Sequence, residues 1–550
     1  MADRQPGSAL ARTSSCRSAR WPDYAGVDSE LAGVGRAAPP RCRSGAGSER
    51  SASGLANREA VLMTESWSRC RAAAHRGELS HAQLLSQLQA QAALGHWARI
   101  ERWLPLLLLR AIGAGERQGS RIATADWLQR QRRSALAHRC LSLVDWQQAD
   151  GHAWLLRGQV AKSLGHIAQA QHHWIRALVL PDVRSVAAYQ LGQLQRSAGD
   201  FDQAAAWFLA SLQADPEPFH IHNALQFTRC SEALLPELVA FYHHLCSKQP
   251  ERALTRQLLA HYLAQSGDLE GAVRESRQAA RLNLGDRATL LADPAQTPTP
   301  PDFLILGVPK GGTTATLRWL EHQQGLWCHP RKELHFFDGR YAYGHAWYCA
   351  QFPRFQESAG ILRGEATPNY FSHNETPARV AALMPRARLV VLLRDPLQRA
   401  ISWVQHLQRL EGLKGTVESW LQHELGSLKH LPPEELAQRA RVGTGALQDS
   451  CYDLHLQRWQ QTLPEAPMLL LSSDRLFQDP APQLKRLLAF LEQANDPSPW
   501  LEQWRPLNVN PDGRAQLSVE LQQELRAFLS EHCQQSWSAL TDNQGPPWPT

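Results

Sequence analysis

The stretch that most limits what this chain can fold into is FLILGV (303–308), followed at once by PKGGTT (309–314) and then ATLRWLEH (315–322). The first segment is a continuous apolar run of buried-strand length. Two consecutive glycines, Gly311 and Gly312, break it. Apolar residues at helical spacing resume near Ala315, so the pattern predicts strand, tight turn, helix. Glycines let backbone approach an anion closely. The free amides and dipole of a helix start favour phosphate. Lys310 adds a positive charge, and Thr313 and Thr314 add hydroxyls. In nucleoside triphosphatases the Lys follows the last Gly of the loop. Here it precedes both, which points to a phosphate site of another kind.

Further β-like runs appear at Leu389–Leu393 and Met468–Leu471, with helical patterns between them. Buried strands alternating with helices predict an α/β domain with a parallel sheet over 302–540. Two of its segments carry chemistry. KELHFFD (332–338) sets Glu333, His335 and Asp338 among aromatics, as an acid/base cluster or a solvated loop. In the first case, burial against Phe336 and Phe337 is expected to raise a carboxylate pKa. The second segment is the strand at 389–393, which runs into Arg394-Asp395-Pro396 and a helix carrying Ser402. Arg394 lies at a strand's carboxyl end, where open α/β sheets bind ligands. It either meets an anion there or pairs with Asp395.

Upstream, 63–285 reads as helical. Gly158, Gly165, Ala170 and Trp174 recur 34 residues later as Gly192, Gly199, Ala204 and Phe208, and Gly267 and Ala272 fall two periods further on. The period, clearest over 152–285, resembles the tetratricopeptide repeat, in which paired helices stack into a surface for a partner. The 217–250 copy is degenerate. Residues 286–301, with four prolines, predict a linker that stops the helices. Residues 1–62, rich in Ser, Arg and Gly, read as a disordered basic leader, and 541–550 as a flexible tail.

Charge excludes little beyond a nucleic-acid role. The chain has 550 residues and a net charge of +6, of which the first 60 residues, with nine Arg and six acids, carry half. No concentrated basic face is evident outside them. Ten cysteines without a CxxC pair predict reduced thiols rather than a zinc or disulfide framework. No apolar run reaches membrane-span length and no secretory h-region is visible, so a cytoplasmic location is expected.

Taken together, PKGGTT, KELHFFD, GEATPNYF (364–371), LRDPLQRAISWVQH (393–406) and SCYDLHLQRW (450–459) resemble the sulfotransferases that use 3′-phosphoadenosine 5′-phosphosulfate (PAPS). The likeness is greatest to the heparan sulfate N- and 3-O-sulfotransferase domains. The resemblance implies that Lys310, Gly311, Gly312, Thr313 and Thr314 hold the 5′-phosphosulfate. It implies that Arg394 and Ser402 hold the 3′-phosphate, and that Gly513 and Arg514 close over the donor. Glu333 is implied as general base, with His335 and Asp338 in support, and no metal is required. Two positions depart from the family. Ala366 replaces a Lys that meets an anionic sugar, and Asp512 replaces a basic residue beside Gly513. The expected function is transfer of a sulfuryl group to a hydroxyl or amine of a saccharide or other acceptor. The alternative is a repeat scaffold whose nucleotide-binding domain is inactive.

Overall fold

The computed structural model describes residues 81–110, 117–293, 296–410, 413–439, 442–493, 501, 504 and 515–541. The leader 1–62 and the tail beyond 541 lie outside them. The described residues fall into two compact units. One runs to Arg196 and resumes over Gln203–Arg229; the other takes Ser197–Asp202 and everything from Cys230 on.

The first unit is helical throughout, and the 34-residue period has a steric origin. Helices Gly151–Ser163 and Ile167–Ala177 form one hairpin, and Arg184–Ala198 and Phe201–Ala214 form the next. In the first, the Trp174 indole lies where a side chain at Gly158 would stand, 2.2 Å from its ideal Cβ. In the second, the Phe208 ring lies 2.6 Å from the same point at Gly192. Each pair is a large ring seated on a bare backbone, so the glycine and the ring must recur together. Gly165 and Gly199, at φ +80° and +85°, make the turns within the hairpins, and Gly267 repeats the geometry at +88°. These left-handed turns follow the helix ends at which glycine is favoured. The degenerate copy shows in the shortened helix Phe219–Gln226.

The second unit is built on a five-stranded sheet of order β2-β3-β1-β4-β5: β1 Phe303–Gly307, β2 Leu326–Cys328, β3 Leu362–Ala366, β4 Arg388–Leu393 and β5 Met468–Ser472. Every pairing is parallel. β1 is buried along its whole length, as its apolar run predicts. The strand packs with Trp319 and Leu320 of helix Thr313–Leu320, and with Leu484 and Leu487 of helix Pro480–Phe490. Gly364 of β3 stands in register with Phe303, whose ring fills the space a Cβ would need. From β1 the chain steps to one side of the sheet for β2 and β3, then to the other for β4 and β5. The reversal leaves a crevice at the carboxyl ends of β1 and β4, the position where such sheets bind ligands.

The same unit includes the helices Ala253–Gln265 and Leu269–Leu282. Gln351, just after helix Gly344–Ala350, donates from Nε2 to Ser276 Oγ at 2.6 Å, and the His261 and Tyr343 rings lie 6.0 Å apart. The proline-rich stretch is tied to this body as well. Arg363 of β3 donates to the carbonyls of Thr299 (3.3 Å) and Pro300 (2.8 Å) and pairs with Asp302 at 3.1 Å.

The glycine–ring pairs give a direct test. Gly192→Val forces a branched side chain into Phe208 and should cost about 1–3 kcal/mol, the usual range for overpacking. Gly119→Ala, on a helix position with open space around it, should instead stabilise by about 0.4–1 kcal/mol. Urea unfolding of the two variants, followed by tryptophan fluorescence, measures both.

Candidate active site

Parallel pairing of β1 with β4 sets the glycine turn beside Arg394. Helix Thr313–Leu320 starts at Thr313, two residues before the sequence pattern suggests, because Gly312 at φ +90° takes the left-handed conformation that precedes it. A Cβ on Gly311 would lie 2.6 Å from the Leu392 carbonyl oxygen, so only glycine fits. Ser473 Oγ donates to the Gly311 carbonyl at 2.8 Å. Arg394 reaches across from the end of β4 and donates from Nη1 to the Lys310 carbonyl at 3.2 Å, while Tyr452 Oη donates to the carbonyl of Arg394 at 2.9 Å.

Asp395 has other work. Its Oδ1 accepts the Gln398 amide at 2.8 Å, at the start of helix Pro396–Leu410, and its Oδ2 pairs with Arg526 at 2.8 Å. The pairing of Arg394 with Asp395, left open by the sequence, therefore does not form. Ser402 lies two turns along that helix and is half-buried. Arg399, between them in sequence, is fully buried. Its Nη1 donates to the Ala446 carbonyl at 2.8 Å and to Ser450 Oγ at 3.1 Å, and its Nε to the Pro309 carbonyl at 3.4 Å. This arginine locks the glycine turn to the helix.

Cations gather here. Burial and the charges of Arg409, Lys332 and Arg394 push Lys310 down to about 8. Its Nζ donates to His406 Nδ1 at 3.3 Å. Burial and the Lys310 charge hold that imidazole neutral, down to about 3, so it serves as an acceptor. Converging like charges of this kind disfavour one another, and the nearby Glu333 carboxylate offsets part of that repulsion.

The loop 332–338 faces the same place. Glu333 contacts Lys332 Nζ and faces His335 Nε2 at 3.8 Å, and His335 Nδ1 meets Asp338 Oδ2 at 2.8 Å. Glu333 and His335 sit at φ +67° and +52°, left-handed values that non-glycine residues rarely adopt. The expected rise in a carboxylate pKa does not occur at Glu333. Burial acts to raise it, but the charges of Lys332 and His335 outweigh burial and hold it well below the usual range. Burial likewise opposes charge on His335, yet Asp338 and Glu333 lift it to about 9.

A carboxyl in this neighbourhood that burial does raise is Glu365, to about 7, against hydrogen bonds from Thr367, Tyr370 and Tyr348. Sequence reasoning placed Glu365 in a family-like segment without giving it a task. It likewise quoted His406, Arg399 and Tyr452 within family-like segments without giving them a task, and it did not single out Ser473. Ser473 lies in none of those segments, and the roles of Tyr452 and Ser473 arise only when distant parts of the chain meet. Gly513 and Arg514 lie outside the described residues.

Residues 300–532 match the sulfotransferase domain family. Residues 186–218 match the tetratricopeptide repeat, in agreement with the glycine–ring period. Over 197 residues, 35% of this chain, the sequence is 36% identical to heparan sulfate glucosamine 3-O-sulfotransferase 6 of Homo sapiens, covering 52% of that protein. Over the same share it is 30% identical to bifunctional heparan sulfate N-deacetylase/N-sulfotransferase 4 of Mus musculus, covering 22% of it. The chain thus spans about half the length, or less, of the curated relatives it matches. Among solved structures, a sulfotransferase from Alicyclobacillus acidocaldarius aligns at 22% identity with a TM-score of 0.33, covering 42% of this chain and 93% of that one. The glycine turn, Arg394 and the 332–338 loop all fall inside the sulfotransferase match.

The raised pKa of His335 has a signed consequence. Its contribution to stability is fully present below pH 6.5 and is lost as pH rises through about 9. Asp338→Asn removes the largest charge that supports it. The stability difference between wild type and this variant, measured by urea unfolding, should therefore shrink between pH 6.5 and 10.

Proposed function

We propose that the C-terminal unit is a PAPS-dependent sulfotransferase acting on a hydroxyl or amine of a saccharide acceptor. The observation that carries this reading is the meeting of Lys310, the bare Gly311–Gly312 turn and Arg394 at one sheet edge, with Glu333 and His335 on the loop opposite. The residues present fit the donor. Gly311 leaves a cradle that a Cβ would fill, and the positive charges of Arg409, Lys332 and Arg394 converge on Lys310. Lys310, Gly311, Gly312, Thr313 and Thr314 would hold the 5′ end, and Arg394 and Ser402 the 3′-phosphate. When bound, PAPS supplies the sulfuryl group. No metal is needed in this scheme, since Lys310 already places a positive charge where the leaving phosphate develops negative charge.

Glu333 is the proposed general base. It is ionised across neutral pH and so is ready to accept a proton from the acceptor. The contact with Lys332 keeps it weakly basic. Drawing Lys332 toward an anionic donor would relieve that contact and raise its basicity at the moment the proton must move. His335, cationic and anchored by Asp338, holds Glu333 from the other side. The curated relatives are named for heparan sulfate, which supports a saccharide as the acceptor class. Ala366, where the family carries Lys, supports a less anionic saccharide than heparan. The buried thiols at Cys140, Cys246, Cys328, Cys349, Cys451 and Cys533 suit a reducing compartment. The repeats would supply a surface for a protein or substrate partner.

Calorimetry with adenosine 3′,5′-bisphosphate tests the donor site, and the absence of any binding heat would overturn the reading. Arg394→Ala should weaken that binding at least tenfold, since a charge-assisted hydrogen bond is worth about 1.5–3 kcal/mol. Affinity should also fall as pH rises through about 8, where free Lys310 loses its charge. Glu333→Gln should reduce turnover by about 10²–10⁴-fold while nucleotide affinity stays close to wild type. Near-normal turnover in that variant would assign the base elsewhere.

A further inference from the structure

The turn that carries Glu333 and His335 is held in an unfavourable backbone conformation, with two non-glycine residues at positive φ. Such a conformation persists only where its surroundings fix it. One anchor is backbone to backbone: the Glu333 amide donates to the Ala366 carbonyl at the end of β3, at 2.9 Å. The next two amides that bond outward reach hydroxyls. His335 N donates to Thr367 Oγ1 at 3.4 Å, and Phe336 N donates to Tyr370 Oη at 2.9 Å. Both hydroxyls pass their own hydrogens to one carboxylate. Thr367 Oγ1 donates to Glu365 Oε2 at 2.7 Å, and Tyr370 Oη donates to Glu365 Oε1 at 2.9 Å. Tyr348 Oη adds a third donor to Oε1 at 3.0 Å. Glu365, Thr367, Tyr348 and Tyr370 are all fully or almost fully shielded from solvent.

We propose that Glu365 is the positioning residue of the catalytic turn: its carboxylate orients the hydroxyls of Thr367 and Tyr370, and these hold the amides of His335 and Phe336. The direction of the hydrogen bonds is the physical content. An ionised carboxylate only accepts, so each hydroxyl must point its hydrogen inward, which leaves its lone pairs for the turn's N–H groups. A protonated Glu365 must donate to one of its neighbours. That neighbour then loses its own acceptor, and a chain of buried hydrogen bonds is broken at its root.

The titratable groups facing Glu365 are Asp338 from the turn, Tyr348 from helix Gly344–Ala350, and Tyr370 from the 3₁₀ turn Pro368–Tyr370. Asp338 disfavours a second negative charge nearby, and burial raises Glu365 to about 7. The network is therefore poised to tighten as pH rises through neutrality.

The activity arm of the test rests on the sulfotransfer reading; the exchange arm does not. In the full-length protein without ligand, hydrogen–deuterium exchange of the peptide spanning 333–339, corrected for intrinsic rates, should be at least about tenfold faster in Glu365→Gln than in wild type. Peptides from β4 should be unchanged. With PAPS and a saccharide acceptor that the wild type uses, kcat should fall about 10- to 100-fold, the scale of a small misplacement of catalytic groups. Affinity for adenosine 3′,5′-bisphosphate should hold within about twofold. The wild-type kcat should rise through about pH 7 with a single-proton dependence that the Gln variant lacks. Unchanged exchange with an unchanged pH profile overturns the proposal. If Glu365→Gln exchanges fast throughout the chain, Tyr370→Phe decides. It removes the acceptor of the Phe336 amide and leaves the carboxylate two donors, so wild-type exchange at 333–339 in that variant overturns the proposal. A wild type that moves no sulfuryl group, together with a loosened turn in the variants, sinks the functional reading and keeps the positioning role.

Discussion

The parallel pairing of β1 with β4 is the contact from which the rest of the site follows. It lays the Leu392 carbonyl so close to Gly311 that no side chain is allowed there. It also ends β4 where Arg394 can fold over the Lys310 carbonyl. Neither segment makes a site alone. Joined, they bring the glycine turn and several cations together, and burial disfavours the charge of Lys310 among them. The buried guanidinium of Arg399 then fixes the pairing, because it bonds to the glycine turn and to the Ala446–Ser450 segment at once.

Around this frame, charge is distributed by environment rather than by residue type. Two glutamates, Glu333 and Glu365, are pushed in opposite directions. Lys332 and His335 keep Glu333 ionised, whereas Glu365, buried with only hydroxyl donors and with Asp338 nearby, rises toward neutrality. Two histidines diverge in the same way: Asp338 keeps His335 cationic, and Lys310 keeps His406 neutral. Such separation of like groups is how a site assigns distinct protonic roles at one pH.

Much of this was legible before any coordinates. The strand–turn–helix at 303–320, the strands at 389–393 and 468–471, and the Gly–aromatic period needed only apolar spacing and glycine placement. β2 and β3 were missed for physical reasons. β2 is three residues long, and β3 reads Leu-Arg-Gly-Glu-Ala, which is no apolar run. Arg363 and Glu365 are tolerated inside the sheet because Asp302 and linker carbonyls take the first, and three hydroxyls take the second. Those partners come from elsewhere in the chain, so no window of sequence reveals them. The pKa of Glu333 was misjudged for a related reason. Neighbouring phenylalanines suggested burial, but the adjacent Lys332 and the turn that brings His335 alongside decide the sign.

The grip of Arg363 on Thr299, Pro300 and Asp302 changes what the proline-rich stretch means for anyone cutting or rewiring this chain. A fragment begun at Phe303 would strip a buried guanidinium of its carboxylate and its carbonyl cradle, in a strand that borders β1. Poor yield from such a truncation would reflect a torn seam in the sheet, and would say nothing about whether the severed helices take part in the chemistry.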